Sequence, residues 1–302
     1  MDTAVGPAAP CRALAILTME IFPMRERRLA GGRSTPGTSP RVGVVFLLLM
    51  ACLPGLGQAQ DDTQLAQKSQ NPVADLISVP LENDLNFGVG PRKDLQYILQ
   101  AQPVIPFRLN GDWNLISRTI LPFIHQPELA PGFGDVSGLG DIVESLFLSP
   151  AKPGKMIWGV GPVLQFPTAT NDALGQRQWG AGPTAVALTI RGPWLVGALV
   201  NNVWSFAGRG DRADLNQMLI QYFVIYTFPG AWSVESAPVI TADWKADRDN
   251  RWTVPLGAGV GKIVRLGKLP LGTSVDAYYN VVRPDHAAKW QLRIRIQLLF
   301  PR

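Results

Sequence analysis

From Trp290 to Phe300 the chain reads WQLRIRIQLLF, with Leu292, Ile294, Ile296, Leu298 and Phe300 at alternate places and Gln291, Arg293, Arg295 and Gln297 between them. A period of two sends one set to each face of a β-strand, so one face wants hydrocarbon and the other water. Taken alone, such a strand also fits a soluble sheet with one solvated face. The pattern recurs, however. Between Asp94 and Arg108, Leu95, Tyr97, Leu99, Ala101, Ile105 and Phe107 oppose Gln96, Gln100, Gln102 and Arg108. From Trp232 to Lys245, Trp232, Val234, Ile240 and Trp244 oppose Ser233, Glu235, Thr241, Asp243 and Lys245. From Leu271 to Arg283, Val275, Ala277, Tyr279 and Val281 oppose Ser274, Asp276, Tyr278 and Asn280. Segments 139–150 and 194–207 alternate poorly.

The connections between these segments come in two kinds that alternate strictly. Tight ones fall at 109–113, 150–156, 191–194, 228–232 and 267–271, with Asn-Gly, Pro-Gly and Gly-Pro pairs that set turn geometry. Longer or more charged ones fall at 91–94, 126–138, 171–178, 208–214, 247–250 and 284–289. Short turns on one rim and long loops on the other are the habit of outer-membrane barrels. These connections predict an all-β fold, a transmembrane antiparallel up-and-down β-barrel of about 12 strands over residues 76–302. The expected aromatic girdle at the strand ends is Trp113, Trp179, Trp194, Trp232, Trp244, Trp252 and Trp290, where indole rings meet headgroups. Pro80, Pro103, Pro106, Pro122, Pro162, Pro167, Pro183, Pro238 and Pro255 run against this pattern, because proline removes a ladder donor. They are expected at bulges near the rims.

The front of the chain supplies an address. Val42–Gly57, VGVVFLLLMACLPGLG, follows Arg25, Arg27, Arg28, Arg33 and Arg41 and precedes the small-residue site at Ala59. Basic flank, short apolar core and cleavage site make a secretory signal over 1–59, with Met24 as an alternative start. Pro54 breaks the run before it reaches spanning length. Leu49-Met50-Ala51-Cys52 also resembles a lipobox, ranked below cleavage after Ala59 because Met50 fits it poorly. Residues 60–75 are polar and read as a mobile periplasmic lead-in.

Removal of 1–59 changes the composition argument. It takes away both cysteines, Cys11 and Cys52, so neither a disulfide framework nor a thiolate metal site is available. It also takes Arg12 and the five arginines above against Asp2, Glu20 and Glu26, so the formal charge of +5 falls to about +2. No nucleic-acid footprint survives at that charge.

The stretches SQNPVADLISVPLENDLNFGVGP (69–91), QPVIPFRLNGDWNLISRTILPFI (102–124), LFLSPAKPGKMIWGVGPVLQFPTATNDALG (146–175), GALVNNVWSFAG (197–208) and YYNVVRPD (278–285) resemble the outer-membrane barrel family labelled meta-pathway of phenol degradation. Its members often carry the label transporter and sometimes neuromedin U. The resemblance covers nearly all of the mature chain. It implies a Gram-negative outer-membrane barrel passing aromatic or other small compounds, with outer-membrane lipid and the barrel-assembly machinery as partners, and no established catalytic residues. The ending FPR departs from usual practice, since barrel assembly signals finish on an aromatic residue.

Other chemistries fit less well. The G-x-G stretches FGVGP, WGVGP, GAGP and GAGVG open no helix, as a dinucleotide loop must, and read as places of close approach or curvature. An outer-membrane lipid hydrolase needs a Ser/His pair. The only histidines are His125 and His286, and Ser117 lies eight residues from His125 along one extended strand. Two histidines without clustered carboxylates make no metal site, and no cofactor is expected.

The polar lumen face remains the candidate site, with Gln96, Gln100, Arg118, Glu235, Asp243, Lys245, Asp276, Arg293 and Arg295 as selectivity residues. The competing expectation is that these charges pair and fill the lumen, Arg293 and Arg295 finding Asp276, Glu82 or Asp84. The functional reading is therefore a passive outer-membrane channel for small solutes, against a non-conducting barrel with a plugged lumen and, third, a lipid hydrolase.

Overall fold

The computed structural model describes residues 56–129, 134–208 and 214–300. Residues 77–300 form one antiparallel sheet closed into a barrel of twelve strands. They are β1 (Ile77–Val89), β2 (Asp94–Ala101 and Val104–Arg108), β3 (Trp113–Gln126), β4 (Val136–Leu139 and Ile142–Pro150), β5 (Ile157–Phe166) and β6 (Gln178–Arg191). The ring continues with β7 (Trp194–Gly208), β8 (Asn216–Thr227), β9 (Trp232–Ser236 and Val239–Asp243), β10 (Trp252–Leu266), β11 (Leu269–Val282) and β12 (Trp290–Phe300). Each strand pairs with its neighbours in sequence, and β1 closes on β12 from Ile77 opposite Phe300 to Phe87 opposite Trp290. Closure removes every sheet edge, which a lipid environment requires.

Tight turns and both barrel ends share one rim, the periplasmic one by the usual arrangement. The Arg191–Trp194 turn shows why glycine is used there: Gly192 holds φ +57°, the left-handed conformation a two-residue hairpin needs at its first central place.

Several prolines sit where the ladder is interrupted, some within the strands and, as expected, Pro255 at a bulge near the external rim. β2 breaks at Gln102–Pro103 and β9 at Ala237–Pro238. Pro122 lies opposite the Gly140–Asp141 break of β4, where the Gly140 amide donates to the Pro122 carbonyl at 2.8 Å. Pro162 and Pro183 face each other across β5 and β6. The next ladder on either side skips at that level, between Ser145–Val163 and Leu148–Val160 and between Ala181–Trp204 and Thr184–Asn201. Two missing donors thus coincide with two gaps in pairing. Pro255 marks the register shift of β10.

Ahead of the barrel stands a helix, α1 (Leu56–Ser69), where the sequence pattern predicted no element. Its buried face is Asp62, Leu65 and Ala66, at helical spacing but with a carboxylate in it, so no apolar stripe announces it. Leu65 and Ala66 pack with Leu76, Ala231, Ile263 and Leu299 inside the periplasmic mouth. Nε of Arg265 donates to Asp62 at 2.9 Å, Nε2 of Gln67 to the Gly192 carbonyl at 2.7 Å and Nε2 of Gln297 to the Ser69 carbonyl at 3.2 Å. After α1 the chain continues inward, and Val73 joins the barrel's internal apolar cluster. The export segment itself lies outside the described residues apart from 56–59, which open α1.

Candidate functional site

Side chains of β1, β11 and β12 that alternate inward are buried and polar: Glu82, Asp84 and Asn86 on β1, Ser274, Asp276 and Asn280 on β11, Arg293 and Gln297 on β12. Register sets the pairs. Arg293 stands between Asp276 on one side and Asp84 on the other, and Arg295 stands between Ser274 and Glu82. Arg293 takes Asp84, its Nε 2.7 Å from Oδ1, and lies 3.7 Å from Glu82. Arg295 bridges Glu82 at 3.8 Å and also contacts Glu235 of β9.

That last contact spans two strands, and glycine explains how. Gly259 lies opposite both Glu235 and Asp276, and Gly261 lies opposite Ser274. With no side chains on the inner face of β10 there, the Glu235 carboxylate reaches across to Arg295. A Cβ at Gly259 would run into the Asp276 carboxylate and the Val275 carbonyl. The GAGVG stretch is thus a place of close approach and not a nucleotide loop.

A second layer of amides completes the cluster. Arg118 donates to Oε1 of Gln102 at 2.7 Å, Gln102 donates to Glu82 at 3.0 Å, and Gln100 donates to Asp84 at 3.3 Å. Ser274 donates to Oδ2 of Asp276 at 2.9 Å, while Oδ1 of Asp276 is buried with no hydrogen-bond partner among the described residues. The Arg293 guanidinium lies 5.9 Å from the ring centre of the buried Tyr278. Buried charges are tolerated only with such pairing, since desolvating an unpaired ion costs several kcal/mol on the order of magnitude known for protein interiors.

The facing wall is apolar. Ile116 of β3, Phe147 of β4, Val186 and Leu188 of β6, Leu195 and Leu199 of β7, and Phe223 and Ile225 of β8 form one buried inner cluster. A cavity of about 90 Å³ is bordered on the periplasmic side by Lys68–Leu76 and elsewhere by Glu82, Arg118, Glu235 and Arg295, with Phe223 and Ile225 reaching it from the edge of the apolar cluster.

Of the residues expected to line the lumen, Gln100, Arg118, Glu235, Asp276, Arg293 and Arg295 come together in this cluster. Gln96 lies toward the external rim, where it accepts from Asn86 at 3.0 Å and donates to Gln126 at 2.6 Å. Asp243 and Lys245 stand apart at the external rim, Lys245 exposed and 3.6 Å from Asp214. Arg92 joins two external connections there through Asp94 at 3.0 Å and Glu128 at 2.6 Å. The tryptophans fall in two bands, Trp113, Trp194 and Trp232 at periplasmic strand starts and Trp179, Trp244, Trp252 and Trp290 at external strand ends.

Polar groups also occur on the outer face. Glu144 of β4 points outward, opposite Thr119 of β3 and Leu164 of β5. Ser117 donates to one of its oxygens at 2.6 Å and Thr119 to the other at 2.5 Å. Nδ1 of His125 lies 2.8 Å from Oγ of Ser137, the residue directly opposite on β4. Ser117 is therefore engaged with Glu144, and His125 finds a different serine. Among the described residues no side chain is bonded to the other ring nitrogen, so the contact has the form of a cross-strand pair.

No family model matches the chain, and no curated protein does. Among solved structures, the outer membrane channel from Pseudomonas putida F1 superposes with a TM-score of 0.57 at 18% identity, over 74% of this chain and 94% of that one. The NanC porin gives 0.48 at 10% identity over 74% and 100%, and the CymD monoaromatic hydrocarbon channel 0.41 at 11% over 81% and 92%. Closed ring, outward apolar face and this likeness of fold define a transmembrane β-barrel of the outer-membrane type.

Proposed function

We propose that the chain is an outer-membrane channel for small solutes, exported by its 1–59 signal, with a lumen held shut on the periplasmic side by its own amino-terminal segment. The observation that carries this is the divided interior: a net of paired charges on one side, an apolar cluster on the other, and a cavity of about 90 Å³ that Glu82, Arg118, Glu235 and Arg295 border together with Phe223 and Ile225. A barrel that served only as a rigid anchor would gain more stability from apolar filling than from buried ion pairs. The apolar wall suits aromatic or other hydrophobic compounds, and the resemblance to the phenol-degradation family agrees with that class. Arg118, Arg293, Arg295 and Glu235 line the cavity or brace those that do, and set which charges pass.

The plugged, non-conducting alternative has its own support in Leu65, Ala66, Val73 and Leu76, all buried against inner barrel surface. The two readings separate on solute flux into liposomes, measured with phenol and with a sugar of similar size. Uptake of phenol that rises when residues 60–75 are deleted supports the gated channel. Equal impermeability in both folded forms contradicts it.

A further inference from the structure

Each tight turn of the periplasmic rim carries a basic residue in it or beside it. At the periplasmic rim, Arg108, Lys152, Lys155, Arg191, Lys262 and Lys268 make no ion pair with any described residue, and all but Lys262 are exposed. Their spacing follows the turns. Arg108 precedes the first, Lys152 and Lys155 lie in the second, Arg191 opens the third, Lys262 stands opposite Trp232 at the fourth, and Lys268 lies in the fifth. The acidic groups near this rim are few: Asp62 is spent on Arg265, and Asp75 and Asp112 lie in connections.

Depth shows what these cations meet. Lys262 alternates outward, and its Nζ lies 4.6 Å from the ring centre of Trp232, itself 50% exposed on the outer face. Trp113 and Trp158 touch edge to face at 5.9 Å beside the first two turns, and Trp194 and Tyr226 at 4.9 Å beside the third and fourth. Outward indoles mark the boundary of the hydrocarbon layer, and long basic side chains beside them reach up to phosphate level. A basic ring at headgroup height, with aromatic rings below it, has its charge complement in an anionic lipid surface. A soluble acidic partner would need the cations to project beyond the membrane, and Lys262 does not.

We propose that this rim is a binding ring for anionic glycerophospholipid of the periplasmic leaflet, which orients and holds the barrel in that leaflet. The inference goes beyond the channel reading and stands whether or not the pore conducts.

The test uses the mature chain folded into vesicles and reads quenching of its tryptophans by brominated phosphatidylglycerol against brominated phosphatidylcholine. Phosphatidylglycerol is preferred by at least about tenfold, given the attraction known for several basic residues at an anionic surface. The preference weakens in high salt and disappears in a variant carrying R108Q, K152Q, K155Q, R191Q, K262Q and K268Q. Its folded state is checked by heat-shifted electrophoresis, and K152Q/K155Q alone, in an exposed turn, gives a partial loss. Equal affinity for the two lipids in the unaltered chain, or a preference retained in the folded variant, overturns the proposal. Abolition of the preference by millimolar inorganic phosphate also overturns it, since that marks a free-anion site.

Discussion

Arg293 and Asp84 lie 2.7 Å apart on adjacent strands of the closing seam, with side chains 6% and 2% exposed. The pair joins the last strand of the barrel to the first, which are 209 residues apart in sequence. Removing one member leaves the other charge buried with only a weaker partner, Gln100 at 3.3 Å for Asp84 and Glu82 at 3.7 Å for Arg293. Arg293→Gln or Asp84→Asn is expected to cost about 3–5 kcal/mol, whereas Arg293→Met with Asp84→Leu recovers most of that loss. Urea titration of the folded barrel in vesicles checks both, and additive losses in the double variant would contradict the pairing account.

Glu144 makes a second, independent case on the opposite surface. Its carboxylate faces outward, and among the described residues the Ser117 and Thr119 hydroxyls are the side chains that donate to it. Ser117→Ala with Thr119→Ala should destabilise the barrel by about 2 kcal/mol, because the carboxylate loses both donors. Glu144→Leu should be neutral or stabilising by about 1 kcal/mol, since an outward charge at mid-membrane is unfavourable. Unfolding midpoints of the three forms decide the point, and a large loss in Glu144→Leu would show that Glu144 is held by something else.

Gly259 is expected to be intolerant. Gly259→Ala places a Cβ against the Asp276 carboxylate and the Val275 carbonyl, at a cost of about 1–3 kcal/mol from overpacking. Gly154, whose added Cβ would meet nothing, serves as the control in the same urea titration.

The helix at the mouth rests on few ties. Asp62→Asn removes the ion pair to Arg265, and the expected result is faster protease cleavage within 62–76 in the folded protein together with larger phenol flux. Unchanged cleavage and flux would show that Leu65, Ala66 and Val73 hold the segment without it.

Much of this architecture is written in the alternation of polar and apolar residues. β12 announces both faces because Arg293, Arg295 and Gln297 on its inner side oppose Leu292, Ile294 and Ile296 outside. β4 does not, because Glu144 points outward and Gly140–Asp141 interrupts the strand. β7 does not either, because its inner residues Leu195, Leu199 and Val203 are as apolar as its outer Val196 and Val200. That same ambiguity hid the apolar wall of the lumen: a buried Phe147 and a lipid-facing Leu148 look alike in a sequence. The charged half of the site was legible from its arginines and carboxylates. Their partners were legible only as candidates, since which of Asp276 and Asp84 takes Arg293 depends on side-chain reach across the ring. Helix α1 escaped because the face it buries joins Asp62 to Leu65 and Ala66, too few apolar residues to make a stripe.

Single-channel conductance of the refolded mature chain in planar bilayers tests the central claim most directly, compared with the chain lacking residues 60–75 and with Arg295→Gln. The account predicts brief, small openings in the full chain, sustained ones after the deletion, and a shift toward cations when Arg295 loses its charge. Silence from the full chain and the deletion variant, both demonstrably folded, would contradict a channel and leave a filled barrel.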